Sequence, residues 1–153
     1  MAEHAELIEN AFVSYLSGLS GWSSNLLILA GENNTDKNDA RIVCYVDDLG
    51  EEYPAISSNR ITDVTIELRT PFTKLTAQEK ASGTQEPLDE HKANAAALRT
   101  AINDTGLPEL LSNTTTFTCF GVVDRQPTRN QDPNYWSSGY KVRIYSAPQG
   151  WAT

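Results

Sequence analysis

The sequence predicts an α+β fold in which an antiparallel or mixed β-sheet carries two helices on one face, with the elements in the order α-β-β-β-α-β-β. Two observations carry this prediction. Two segments have apolar residues at helical spacing, and five shorter segments are apolar runs or alternate between apolar and polar residues. The chain has 153 residues, of which 39% are hydrophobic, as expected of one globular domain spanning residues 1–153.

The two predicted helices are amphipathic. The first extends from Glu3 to Leu19, and its apolar positions are Ile8, Phe12, Tyr15, Leu16 and Leu19. The second extends from Leu88 to Asp104, and its stripe comprises Leu88, His91, Ala95, Leu98 and Ile102. These positions recur at steps of three and four residues, so each helix offers one apolar face to the sheet.

The first two strands are expected within Asn25–Gly31 and Arg41–Val46, both of which are strongly apolar. The polar segment between them, residues 32–39, is rich in Asn and Asp, which favour turns. This arrangement predicts a hairpin with a long loop. In the third strand, Ile61–Thr70, the apolar residues Val64, Ile66 and Leu68 alternate with Asp63, Thr65, Glu67 and Arg69. The alternation predicts one core face and one solvent face.

The last two strands are expected at Thr116–Val123 and Gly139–Tyr145, the latter with Tyr140, Val142 and Ile144 facing inward. Long polar loops are expected at Phe72–Pro87 and Asp124–Ser138. Long loops within small domains are uncommon and are often functional.

Charge and composition disfavour several function classes. The net charge is −8, which disfavours specific binding to nucleic acids and anionic membranes. No apolar run approaches the roughly 18 residues that a membrane span requires, and the first residues lack the pattern of a secretory signal. The two cysteines, Cys44 and Cys119, lie in apolar runs and are expected to be buried thiols in a protein made in the cytoplasm.

No motif for catalysis, cofactor binding or metal binding stands out. The cysteines and histidines are scattered, and neither a nucleophile elbow nor a phosphate-binding glycine loop is present. His91 is expected at the edge of the helix–sheet core, with a general base as the alternative. The acidic residues Asp47, Asp48, Glu51 and Glu52 are expected to lie in a solvated loop, with a site for a hard cation as the alternative.

Three aromatic residues lie in segments that have no core periodicity: Tyr135, Trp136 and Trp151. Aromatic side chains in loops and tails are favoured anchors of protein interfaces. The alternative is that they fold back onto the core of their own chain. With Phe72 at the start of the other long loop, these residues are the predicted contacts with neighbouring subunits or partners.

The chain resembles the tail terminator proteins of tailed bacteriophages, also called tail completion or head–tail joining proteins. The resemblance spans roughly Leu7 to Tyr145 and is carried by three features. The first is the N-terminal amphipathic helix followed by short strands. The second is the strand Ile61–Arg69, followed by a polar loop and the helix His91–Arg99. The third is the ending, in which a loop with Trp136 leads into Tyr140–Tyr145.

The resemblance implies a virion structural protein, not an enzyme, with no catalytic residues and no cofactor. Such a protein forms a homo-oligomeric ring of about six subunits in the tail-neck region of the virion. The ring ends growth of the tail tube, contacts the tube protein and the head connector, and lets DNA pass without specific binding. Two alternatives stay open: another tail or neck component, such as a tube subunit or connector stopper, and a small soluble enzyme or ligand-binding domain that uses His91.

Overall fold

The computed structural model describes residues 4–23, 26–31, 40–46, 60–71, 87–112, 117–128 and 135–148. In chain order they form α1 (His4–Ser17), β1 (Leu27–Ala30), β2 (Arg41–Val46), β3 (Arg60–Pro71), α2 (Pro87–Ile102), α3 (Leu107–Ser112), β4 (Phe117–Thr128) and β5 (Tyr135–Pro148). The predicted α+β class and element order are confirmed. The short helix α3 is an addition, in which Pro108 lies in the first turn, where its missing N–H is tolerated.

The described strands form one mixed sheet in the order β1-β2-β3-β5-β4. β3 pairs antiparallel with both β2 and β5, and β5 also pairs antiparallel with β4. β3 and β5 are therefore the long central strands, whereas β1 and β4 lie at the two edges. The centre of the sheet is thus built from residues that are distant in the chain.

The hairpin predicted for the first two strands is wrong. β1 and β2 pair in parallel, with Leu27 opposite Arg41 and Ala30 opposite Cys44. A parallel pair needs a crossover that returns the chain to the starting end of the first strand, whereas a hairpin joins adjacent ends. The Asn- and Asp-rich composition predicts a change of direction, but it carries no information on which end of β1 the chain returns to.

The long loop predicted at Asp124–Ser138 is also wrong. β4 extends to Thr128 and β5 starts at Tyr135, so most of the predicted loop belongs to two paired strands. The polar composition of these strand ends led to the loop prediction. Pro127 fits because β4 is an edge strand, where one missing N–H is tolerated. Apart from Pro87, which begins α2, the loop predicted at Phe72–Pro87 lies outside the described residues.

The hydrophobic core lies between the three described helices and one face of the sheet. α1 contributes Ile8, Phe12 and Leu16, all fully buried, and α2 contributes Leu98 and Ile102. Strand residues at alternate positions complete the core: Ile42, Cys44, Val46, Val64, Ile66, Leu68, Val142 and Ile144. Most predicted inward positions are confirmed. Leu19 is the exception, because α1 ends at Ser17 and leaves it 36% exposed.

Hydrogen bonds between distant elements hold the helices on the sheet. The Tyr15 hydroxyl of α1 donates to the Ala101 carbonyl of α2 over 3.0 Å. Arg125 of β4 donates through Nε to the Ile102 carbonyl over 2.7 Å, where a cation suits the C-terminal end of α2. None of the helices in the described ranges is long and apolar enough to cross a membrane.

Candidate functional site

The four residues predicted as interface contacts fall in different parts of the molecule. Phe72 and Trp151 lie outside the described residues. Tyr135 begins β5 opposite Pro71, and its side chain is also outside the described part. Trp136 is the next residue of β5 and lies opposite Thr70. Trp136 is half-buried on the helix-bearing face of the sheet, so its predicted position in a loop is wrong.

His91 lies in the seam between α2 and the sheet and is only 5% exposed. Its Nδ1 is 2.7 Å from the Thr70 hydroxyl, and its Nε2 is 3.0 Å from the Ser138 hydroxyl. The Trp136 ring lies beside it at a centroid distance of 6.3 Å. The expected position at the edge of the helix–sheet core is confirmed. A histidine with both ring nitrogens engaged inside a packed seam joins α2 to β3 and β5, and this geometry favours a structural role over a general base.

The two cysteines are buried and unbridged in strands β2 and β4. Burial raises the pKa of the Cys44 thiol far above its ordinary value and raises the pKa of Cys119 to about 11. Both thiols are therefore protonated near neutral pH and poorly suited to nucleophilic attack. Within the described ranges, no three His, Cys, Asp or Glu residues come together in a way that could hold a metal ion.

The face of the sheet opposite the helices, here called the outer face, departs from the prediction that it is exposed to solvent. Glu67, Arg69 and Ser137 are 1%, 4% and 6% exposed. Arg69 Nε donates to Glu67 Oε1 over 2.8 Å, and the Ser137 hydroxyl donates to the same oxygen over 3.0 Å. The buried Arg41 lies opposite Arg69 in the strand register. These four residues are called the polar cluster.

A glycine allows the strands to approach closely beneath this cluster. Gly139 of β5 lies opposite Glu67, and a Cβ atom there would overlap the Ile66 carbonyl oxygen and lie 2.9 Å from the Glu67 Cα. The alternation of β3 correctly assigns Glu67 and Arg69 to one face. It does not reveal that the two groups satisfy each other by a buried, charge-assisted hydrogen bond, and this bond makes their burial tolerable.

The other end of the outer face carries exposed apolar side chains, here called the apolar patch. Ile61, Phe120 and Tyr145 are 51%, 44% and 37% exposed. Ile61 and Tyr145 are directly opposed in the pairing of β3 with β5. The rings of Phe120 and Tyr145 are in contact, with centroids 5.4 Å apart. The three residues are therefore contiguous, and contiguous exposed apolar residues are typical of interaction surfaces.

A partly exposed ion pair lies next to the apolar patch. Arg143 Nε and a second guanidinium nitrogen donate to the two carboxylate oxygens of Asp63 over 2.7 and 3.1 Å. The hydrogen bond from Arg143 lowers the pKa of Asp63 below its ordinary value. Bidentate pairs of this kind fix the positions of both side chains, so the border of the apolar patch is well defined.

The sequence reasoning missed the apolar patch, although part of its signal was present. Ile61 shares the parity of Asp63 and Thr65 in β3, so an apolar residue occupied a face that was predicted to be polar. Tyr145 has the opposite parity to Val142 and Ile144, which face the core, so it also occupies the outer face. Phe120 had no such signal, because the register shift between Cys119 and Gly121 sets its position.

A comparison with protein-family models found no match, and a comparison with curated proteins found none.

Proposed function

We propose that this protein is a structural subunit of a tailed-bacteriophage virion and assembles into a ring at the head-proximal end of the tail. In this position it ends growth of the tail tube and joins the tail to the head connector. The resemblance to tail terminator proteins supports this proposal, and so does the element order, in which helices cover one face of a mixed sheet.

The apolar patch is the observation that carries the proposal. A chain that works as a monomer gains nothing from three contiguous apolar side chains in water, because their exposure forfeits the free energy of burial. Contact with a neighbouring subunit recovers that free energy. The ion pair of Asp63 with Arg143 beside the patch provides the polar rim that is typical of protein interfaces.

The charge of the chain suits a conduit for DNA. A net charge of −8 on each subunit gives a ring a strongly acidic character. Acidic walls repel phosphates, so DNA passes without being retained. A cryo-EM structure of the ring tests this part of the proposal through the potential of its channel wall, and a basic wall would contradict it.

The experiment that tests ring formation measures the mass of the purified protein by light scattering and images the same sample by negative-stain electron microscopy. We expect closed rings with a channel wide enough for duplex DNA, and a mass about six times the 16.8 kDa of one chain. Tyr145→Thr in the apolar patch is expected to shift the mass toward that of the single chain. Lys92→Ala, at an exposed position of α2, is the matched control and is expected to form rings.

Other outcomes distinguish the alternatives. Long tubes would favour a tube subunit over a terminator. A wild-type protein that stays monomeric over a wide range of concentration, with or without chemical crosslinker, would contradict self-assembly. A Tyr145→Thr protein that forms rings as readily as the wild type would contradict the role of the apolar patch.

A further inference from the structure

The two edge strands of the sheet, β1 and β4, differ in how their open backbone is protected. β4 contains Pro127, which lacks an N–H, and its pairing with β5 shifts register after Cys119 and after Val122. The Ser112 hydroxyl of α3 also accepts a hydrogen bond from the Cys119 N–H over 2.8 Å and donates to the Cys119 carbonyl over 3.3 Å. Prolines, bulges and covered backbone groups hinder the pairing of another strand with an edge. β4 is therefore a protected edge.

The other edge strand, β1, has none of these features. Its four residues are all apolar and include no proline, and its pairing with β2 is regular. The N–H groups of Leu27 and Gly31 both donate to carbonyls on the β2 side, over 3.0 and 2.8 Å, so alternate residues face β2. The N–H and C=O groups of Ile28 and Ala30 therefore point away from β2, and within the described ranges no strand pairs with them. β1 is a regular edge that is open to a further strand.

A carboxylate lies in line with β1 at the end of this open edge. Val46 lies two residues after Cys44, whose carbonyl accepts a hydrogen bond from Gly31, so the Val46 N–H also points toward the β1 side. Gly31 has a φ of 82° and turns the chain away before it reaches this donor. Glu9 of α1 takes the place of the missing strand residue, because its carboxylate accepts the Val46 N–H over 2.9 Å.

The charge beside the open edge is acidic. α1, which packs against β1 and β2, carries Glu6 and Glu9 and no Lys or Arg, and β1 has no charged residue. None of the ion pairs among the described residues involves either glutamate. Burial raises the pKa of Glu9, and Glu6 adds to the increase, although the hydrogen bond from Val46 opposes it. A cation brought to this end of β1 therefore gains two carboxylates that no base of the described chain neutralises.

We infer that β1 accepts an extended segment of a partner protein, which pairs with the backbone of Ile28 and Ala30 and carries Lys or Arg at the end near Glu9. Backbone hydrogen bonds supply the affinity of such strand addition, and the charge selects the segment. A second copy of this chain fits less well. Pairing of β1 with β1 brings together two α1 helices that carry glutamates and no Lys or Arg, on chains whose net charge is −8. The inference does not depend on the proposed ring.

A synthetic peptide tests the inference directly. The probe has alternating valine and threonine residues and a lysine at each end, so that either strand direction places a cation near Glu9. We expect it to bind the full chain in a fluorescence anisotropy titration, and an otherwise identical peptide with glutamates in place of the lysines to bind more weakly. Hydrogen exchange followed by NMR is expected to slow at the Ile28 and Ala30 amides when the lysine peptide binds. The Leu27 amide, which already donates to the β2 side, is expected to change little.

Two matched variants test the role of the charge. Glu9→Gln keeps an oxygen that accepts the Val46 N–H but removes the charge, and it is expected to weaken binding of the lysine peptide about fivefold. Asp89→Asn removes an exposed carboxylate from α2, a helix that packs on β3 and β5, and is expected to leave binding unchanged. Circular dichroism verifies the fold of both variants.

Four outcomes would overturn the inference. Absence of binding at about 1 mM peptide would exclude the strand site. Binding that leaves exchange at Ile28 and Ala30 unchanged would place the peptide elsewhere. Equal binding of the lysine and glutamate peptides, or equal binding by wild type and Glu9→Gln, would exclude selection by charge. Protection of Ile28 and Ala30 that increases with protein concentration in the absence of peptide would show that a second copy occupies the edge.

Discussion

At one end of the outer face polar side chains are buried, whereas at the other end apolar side chains are exposed. The polar cluster places Glu67 and Arg69 at 1% and 4% exposure. Six residues earlier in the same strand, Ile61 is 51% exposed. Proteins usually bury apolar side chains and expose charged ones, so a buried charge or an exposed apolar cluster calls for a structural or functional explanation. Here both occur on one face of one strand.

The polar cluster and the apolar patch, at the two ends of the outer face, differ in how the free-energy cost of their unusual burial or exposure is offset. Within the polar cluster, the charges of Glu67 and Arg69 compensate each other inside the chain, since Glu67 accepts hydrogen bonds from Arg69 and Ser137. The side chains of the apolar patch instead stay 37–51% exposed in the single chain, so the free energy of their full burial is not recovered there. We therefore expect substitutions in the polar cluster to affect folding and substitutions in the apolar patch to affect assembly.

The largest expected effect is that of Glu67→Met. This substitution leaves the buried Arg69 guanidinium without its carboxylate, and the loss of one partner of a buried ion pair costs about 3–5 kcal/mol. Urea denaturation followed by circular dichroism measures the free energy of unfolding. The double variant Glu67→Met with Arg69→Met is the control and is expected to recover most of the loss, because the Arg69 charge is removed together with its partner. A single variant that loses less than about 1 kcal/mol would contradict this account of the polar cluster.

A smaller effect is expected for Asp63→Asn at the border of the apolar patch. The Asp63–Arg143 pair is partly exposed, with side chains 25% and 50% accessible, so its contribution is less than about 1 kcal/mol. The hydrogen bond from Arg143 lowers the pKa of Asp63 below its ordinary value, so the folded state favours the ionised form. This contribution is present at neutral pH and is lost as the pH falls through the folded-state pKa. The free energy of unfolding of wild type and Asp63→Asn, measured from neutral to acidic pH, is expected to converge at low pH. A constant difference at every pH would contradict this.

The helix and sheet layers of the fold could be predicted from the sequence. The helical spacing of apolar residues and their alternation along a strand both depend only on residues that are close in the chain. The stripes of α1 and α2 and the alternation of Val64, Ile66 and Leu68 correctly placed nine of the nineteen core residues in the described part of the chain. The parallel pairing of β1 with β2 was not predictable in this way. Strand direction depends on the path of the connecting segment, and composition alone does not define that path.

The candidate site was less predictable than the fold. Parity assigns Ile61 to the outer face, but contiguity with Tyr145 depends on the pairing of β3 with β5, which are separated by most of the second half of the chain. The position of Phe120 depends further on a bulge. Trp136 was selected from its loop-like surroundings, yet it lies in β5 beside His91. Surfaces are defined by which strands become neighbours, whereas a core position is defined by local spacing.

The smallest expected effect on folding is that of Ile61→Thr. Ile61 is 51% exposed, and the replacing threonine is also β-branched. The substitution is therefore expected to change the free energy of unfolding of the monomer by less than about 0.5 kcal/mol. The same substitution at Ile66, which is fully buried in the same strand, removes apolar contacts and buries a hydroxyl, at a cost of about 2–4 kcal/mol. Urea denaturation at a concentration that keeps the protein monomeric measures both variants, and light scattering at high concentration measures assembly. Ile61→Thr is expected to weaken assembly while it leaves folding unchanged. If Ile61→Thr instead destabilised the monomer as much as Ile66→Thr, the apolar patch would belong to the fold and not to an interface.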